Sequence, residues 1–193
     1  MFKGLVQIYT GNSKGKTTAA LGLSLRAIGH GYNVYFMQFM KGSNYYGEIA
    51  TLNKLSDKIK HAQFGRPCRN GGLIKAGLST CIACGDCFIK QGEDITKDKE
   101  EMEKALEFTI EIIQSQKYQI VVLDEILNCL YFDLITKKQL LDILERKPDN
   151  VELVLTGRNA PDDIIAKADL VTDMGQIKHP FEKGVMARRG IEY

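Results

Sequence analysis

Tryptophan is absent from the 193 residues, and there is no surplus of one charge. Twenty-six basic and 24 acidic side chains leave a formal charge of +2. Nucleic-acid binders usually carry a strongly basic face, so no nucleic-acid partner is expected. No apolar run approaches the roughly 18 residues of a membrane span, so no membrane partner is expected either. No internal repeat or low-complexity linker is visible, and a single domain over 1–193 is the expectation. A strand-like run, LVQIYT, begins at Leu5 and leaves no room for a signal peptide. A cytoplasmic chain is therefore expected. Its five cysteines should then be thiols or metal ligands rather than disulfides.

What is present is an alternation. LVQIYT, NVYFMQFM, QIVVLDE and VELVLTG are unbroken apolar runs bounded by turn residues, with IKHAQF and DLVTDM as weaker strands. Amphipathic segments lie between them. TTAALGLSLRAIG reads as a helix ending at Gly29 or Gly31. Residues 47–56 suit a short helix, and Met102, Ala105, Leu106, Thr109, Ile110 and Ile113 mark one helical face after a Thr96 N-cap. Thr136 and Gln139 form a capping box for a helix through Arg146. Such runs predict an α/β fold, a mostly parallel sheet with helices on both faces. Residues 65–95 break the rhythm with six glycines and four of the five cysteines. They are expected to be an inserted loop or small subdomain.

Between the first strand and first helix stands YTGNSKGKTT. A phosphate loop has the form G-x-x-x-x-G-K-[ST], but only three residues separate Gly11 from Gly15, and Thr10 occupies the first glycine's place. Backbone N–H groups and a helix N-terminus attract phosphate. The candidate nucleotide-binding set is Gly11, Asn12, Ser13, Lys14, Gly15, Lys16, Thr17 and Thr18. Lys16 can neutralise phosphate oxygens, and the Thr17 hydroxyl can ligate Mg2+. At the end of the third long run, Asp124 and Glu125 are both candidates for the Mg2+ shell. Arg158 follows another buried run, at the edge where ligands gather in parallel sheets, and can reach the nucleotide. A loop one residue tighter need not wrap the terminal phosphates as a kinase loop does, so the chemistry can lie elsewhere on the nucleotide.

GNSKGKTT, VVLDE, LTGRNAPDDIIAKADLVTDM and KHPFEKGVMARRGIEY together resemble the P-loop-type ATP:corrinoid adenosyltransferases over roughly residues 4–56 and 96–193. The shortened loop is itself typical of that family. The resemblance implies a P-loop NTPase-like domain that transfers the 5′-deoxyadenosyl group of ATP to a Co(I) corrinoid and releases triphosphate. It implies Thr17 and Glu125 on Mg2+, and Asn12 and Ser13 along the phosphates. It also implies a reductant that supplies Co(I), and a homodimer. Lys16 and Lys14 would carry charge on the leaving group, and no general base is needed because Co(I) has no proton to lose. The alternatives are another P-loop NTPase or kinase acting at the γ-phosphate, or a metal-sensing nucleotide-binding module.

The family usually carries a tryptophan-containing aromatic segment after the third strand. Here that region reads GRPCRNGGLIKAGLSTCIACGDCFIKQG. Cys81, Cys84 and Cys87 form C-x2-C-x2-C, with Cys68 a fourth candidate ligand and Gln91 where a ferredoxin run has its next cysteine. Four thiolates suit Zn2+ or an iron–sulfur cluster. Cys129, His30, His61 and Phe64 are expected to be structural. His179 is expected to pack or cap, and Tyr45 and Tyr46 are open between core and ligand.

Overall fold

The computed structural model describes residues 3–55, 57–82, 84–90 and 92–193. Six strands form one sheet: β1 (Val6–Thr10), β2 (Val34–Phe39), β3 (Ile59–Phe64), β4 (Ile120–Asp124), β5 (Glu152–Thr156) and β6 (Leu170–Asp173). Their order is β3-β2-β4-β5-β1-β6, and every pairing is parallel. All residues of β2, β4 and β5 are buried because helices cover both faces, and they are apolar except at Gln38, Asp124, Glu152 and Thr156, near the strand ends.

The side chains alternate between two cores. Val34 and Phe36 of β2, Ile120 and Val122 of β4, and Val154 of β5 pack with Ala20 and Ala27 of α1 (Lys16–Gly29) and Leu52 of α2 (Gly47–Lys54). On the opposite face Met37, Phe39, Val121, Leu123, Leu153 and Leu155 meet three other helices. These are α4 (Thr96–Gln114), α5 (Ile126–Tyr131) and α6 (Lys137–Glu145). Phe36 and Phe39 are fully buried, and truncating either to alanine should cost about 3–5 kcal/mol. Short helices α3 (Gly71–Lys75) and α7 (Asp162–Ile165) and a 3-10 turn at Pro180–Lys183 complete the described elements.

The capping box is present: Gln139 N–H donates to Thr136 Oγ1 at 3.2 Å, and Thr136 N–H to Gln139 Oε1 at 2.7 Å. The start of α4 differs from expectation. Thr96 is the first helical residue, and its N–H and hydroxyl both donate to Asp94 Oδ1, at 3.0 and 2.6 Å. The carboxylate two residues upstream is the stronger acceptor, so it takes the role expected of the threonine. Phe64 and Cys129 pack in the core as expected, and the His179 ring caps the 3-10 turn by accepting from Phe181 N–H at 3.2 Å.

The segment 65–95 is pinned at its base. Lys41 N–H donates to Phe64 O at 3.2 Å, and Arg66 pairs with Asp98 of α4 at 2.7 Å and with Glu93 at 2.8 Å. Beyond that it holds one short helix and turns. Among the described residues no helix is long and apolar enough to cross a membrane.

Candidate functional site

The C-terminal ends of β1, β2, β4 and β5 converge on one edge of the sheet, and the loop 11–15 sits there. Gly11 (φ 103°) and Gly15 (φ 112°) have left-handed backbones. A Cβ on Gly11 would lie 2.3 Å from Asp173 Oδ1 and 2.6 Å from Met174 O, so only glycine fits between the loop and the end of β6. Ser13 N–H donates to Met174 O at 3.0 Å and fixes the loop's crown. Helix α1 has no acidic residue in its first turn and no side-chain cap, which leaves its N-terminal amides for an anion. Lys16 Nζ donates to Gly11 O at 2.8 Å and Ser13 O at 2.6 Å. Burial pulls its pKa down, against the opposing pull of Glu125.

Asp124 is fully buried and satisfied on both oxygens. Oδ1 accepts from Thr17 Oγ1 at 2.8 Å and Thr156 Oγ1 at 2.7 Å; Oδ2 accepts from Lys41 Nζ at 2.8 Å and Gln38 Nε2 at 3.3 Å. Glu125 is half-buried and lines the cavities at this edge. Its backbone is left-handed (φ 66°), held there by its N–H donating to Thr156 Oγ1 at 2.9 Å. Its carboxylate accepts from Asn128 Nδ2, and Asn128 Oδ1 accepts from Arg158 N–H at 2.7 Å. Gly157 (φ 145°) has no room for a Cβ, which would lie 2.6 Å from Leu127 Cβ; this close approach delivers Arg158 to the site. Burial first, and then Asp124, push the Glu125 pKa up.

Two cavities meet here. One, of about 440 Å3, is lined by the loop residues Ser13, Lys14, Gly15, Lys16, Thr17 and Thr18, and by the tail 190–193. The other, of about 480 Å3, is lined mainly by apolar groups such as Phe39, Phe88, Ile89, Met102 and Phe132. Lys41, Tyr46, Glu125 and Arg158 line both. The tail is tied to the loop by Lys14 Nζ, 2.5 Å from Glu192 Oε1. Hydrogen bonds from Arg188 and Lys14 hold the Glu192 pKa down to about 2. Tyr193 packs edge-on against Tyr45, which stacks on Tyr46 at 4.8 Å, so Tyr46 forms part of the site's wall with Tyr45 packed against it.

The structure therefore brings together Ser13, Lys14, Gly15, Lys16, Thr17, Thr18, Glu125 and Arg158. Gly11 and Asn12 do not line the cavity. Gly11 backs the loop against Asp173, and Asn12 Oδ1 accepts from Gln176 N–H at 3.3 Å. Asp124 stands behind Thr17. Sequence reasoning missed Lys41, Gln38, Thr156 and Asn128. The first three carried a usable signal, since each is a polar residue at the end of an otherwise apolar strand run, on the sheet edge where ligands collect.

The cysteines are only half gathered. Cys87 lines the apolar cavity, and Cys68 N–H donates to Ser43 Oγ at 3.0 Å. Arg69 lies 3.7 Å from Asp86, and Arg66 Nη1 lies 3.5 Å from Phe88 O, so the two stretches face each other. Burial, and then Cys68, push the Cys87 thiol pKa up. Cys81 and Cys84 are exposed, and among the described residues no group of three or more His, Cys, Asp or Glu is arranged to hold a metal ion. Among the described residues the expected four-thiolate cluster is therefore not assembled as a metal site, although Cys68, Cys81 and Cys84 all act on the Cys87 thiol. Gln91 lies outside the described residues.

An anion-binding loop opening a helix, faced by strand-end carboxylates on a parallel sheet, defines a P-loop nucleotide-binding domain. The fold agrees with two solved structures. One is a flagellar accessory protein FlaH from Methanocaldococcus jannaschii (TM-score 0.52, 12% identity, 90% of this chain and 72% of that one). The other is a KaiC-like protein from Pyrococcus horikoshii (TM-score 0.53, 14% identity, 89% and 72%). The family model for ATP:corrinoid adenosyltransferase BtuR/CobO/CobP matches residues 2–193, and the chain belongs to that family. It is 38% identical over 192 residues to a corrinoid adenosyltransferase of Sinorhizobium sp., covering 99% of this chain and 81% of that protein. It is 30% identical over 191 residues to corrinoid adenosyltransferase CobA of Salmonella typhimurium, covering 99% and 86%. The chain is accordingly a transferase that uses ATP to adenosylate a corrinoid.

Proposed function

We propose that the triphosphate of ATP lies in the loop cavity while the cobalt face of a Co(I) corrinoid closes the apolar cavity, so that C5′ of the ribose sits at the shared wall. The observation that carries this reading is the wall itself: two cavities of different polarity meet at Lys41, Tyr46, Glu125 and Arg158. Co(I) donates an electron pair to C5′, the Co–C bond forms, and the C5′–O bond breaks with its pair leaving on triphosphate. Cobalt becomes formally Co(III). No proton moves, which agrees with a site that needs no general base. The protein supplies orientation and positive charge. Ser13 and the loop amides grip the phosphates, Lys16 turns from its carbonyl partners toward them, and Lys14 exchanges Glu192 for phosphate oxygen.

Thr17 and Glu125 are the residues we assign to Mg2+, with Asp124 in its outer shell. The donor set is hard oxygen, as that ion requires, and an ammonium already rests on the Asp124 carboxylate. Bound Mg2+ would add charge on the triphosphate.

Three further assignments belong to this reading. Cys68, Cys81, Cys84 and Cys87 bind Zn2+ or an iron–sulfur centre when the 65–95 insertion closes; the facing of the Cys68 and Cys87 stretches supports it. The chain forms a homodimer and works in the cytoplasm with a reductant that supplies Co(I). The exposed edge strand β6, flanked by exposed Ile177 and Phe181, is a suitable dimer surface.

The test is to incubate anaerobic protein with ATP, Mg2+ and chemically reduced cobalamin. A light-sensitive adenosyl product with one equivalent of triphosphate is expected. ADP as the nucleotide product would overturn the reading in favour of chemistry at the γ-phosphate.

A further inference from the structure

We infer that Lys41 is a catalytic residue, a fixed cation that receives the negative charge developing on the leaving oxygen as C5′–O breaks. The inference rests on the placement of the triphosphate and C5′ proposed above.

The backbone is built to hold this side chain. Strand β2 ends at Phe39, and the chain reverses at Met40, which takes a left-handed conformation (φ 56°) despite having a side chain. Gly42 follows, packed so tightly on the next strand's exit that a Cβ would lie 1.9 Å from Gly65 O. Between these two constraints Lys41 turns back over the sheet edge. Its Nζ is 2.8 Å from Asp124 Oδ2 and 3.4 Å from Thr17 Oγ1, and lies 5.7 Å from the centre of the Tyr46 ring.

An ammonium has three donors. Asp124 and Thr17 account for two. The third has no acceptor among the described residues, and Lys41 forms part of the wall of both cavities. That position differs from those of the loop lysines. Lys14 and Lys16 line the phosphate cavity and not the apolar one. The departing oxygen is bonded to C5′ and so must lie at the junction with it. Charge appears there only as the bond breaks. A cation aimed at that point therefore favours the transition state over bound ATP.

Two variants separate charge from fold. Lys41→Gln keeps an N–H donor for Asp124 and removes the charge; Lys41→Arg keeps the charge. We expect Lys41→Gln to lower kcat about 100-fold, the scale of losing one transition-state donor. The KM for ATP should change less than about 3-fold, and Lys41→Arg should recover at least about 10-fold of the loss. Binding gives an independent readout. Free triphosphate carries the extra charge that ATP lacks, so Lys41→Gln should weaken inorganic triphosphate by about 10-fold while weakening ATP less than about 3-fold.

The inference is overturned if Lys41→Gln keeps kcat within about 3-fold, or if it weakens ATP and triphosphate equally, which would make Lys41 an ordinary phosphate contact. Failure of the underlying reading is read separately, from the wild-type product: ADP in place of adenosyl product and triphosphate removes the reaction without reference to Lys41.

Discussion

The sheet edge around Asp124 and the cysteine-bearing segment 65–95 lie side by side, and they are held by opposite means. Asp124 has four hydrogen-bond donors, from the ends of β2 and β5 and from the first helix, all converging on a fully buried carboxylate. The cysteine segment is anchored by Arg66 at its base, and further out by ion pairs such as Arg69–Asp86 and Lys90–Asp86 at 3.7 and 3.8 Å between exposed groups. Exposed pairs of that kind contribute about 0–1 kcal/mol each. The sheet edge is thus preorganised by the fold, while the cysteine segment is held mainly by weak exposed pairs.

The sharpest way to break this contrast is to remove its centre. Asp124→Ala should destabilise the protein by about 3–5 kcal/mol, since it leaves the Lys41 ammonium without its partner in a largely buried place. Urea unfolding measures it, and a loss below about 1 kcal/mol would mean that the edge is no more rigid than the segment beside it. Lys16→Ala comes next. It should lower kcat by about 10²–10³-fold with little change in unfolding midpoint, because Lys16 bonds only to carbonyls of its own loop. A large fall in stability would instead make Lys16 part of the scaffold.

On the other side of the comparison, Cys84→Ser should lower bound zinc or iron below half of the wild-type content and loosen hydrogen-exchange protection over 65–95 only. Unchanged metal content would remove the thiolate assignment. The smallest effect concerns pH. The Glu125 pKa is raised by burial and by Asp124. Between its unfolded and folded values the folded protein therefore holds the extra proton, and stability falls as pH rises through that window. Without Mg2+ or nucleotide, Glu125→Gln should be more stable than wild type above the window and equal to it below. Equal stability at every pH would place Glu125 in freer solvent than its position implies.

Much of this was legible in advance because it follows from periodicity and local chemistry. The unbroken apolar runs could only be strands covered on both faces, and Gly11 and Gly15 announced a loop that needs left-handed backbone. The capping box at Thr136 was readable for the same reason, since its parts are three residues apart. Lys41 was not read, because its role depends on Met40 reversing the chain and on Gly42 meeting Gly65, a contact between distant residues. The split between Asp124 behind and Glu125 at the cavities is implied by the family resemblance but not by the residues alone, since it is fixed by Thr156 from another strand. The cysteine spacing marks candidate ligands, but spacing reports which sulfurs can converge and says nothing of whether the chain alone brings them there.

Strand β1, which launches the phosphate loop, pairs only with β5 and β6, so Val6 lies opposite Leu153 and Gln7 opposite Leu170. A growing polypeptide therefore exposes β1 long before its partners and carries it unpaired for some 145 residues. Closing so long a loop is slow, and it places assembly of the nucleotide cradle at the end of folding rather than the beginning. Partly synthesised chains halted before Glu152 would hold every loop residue and still lack the neighbours that shape them.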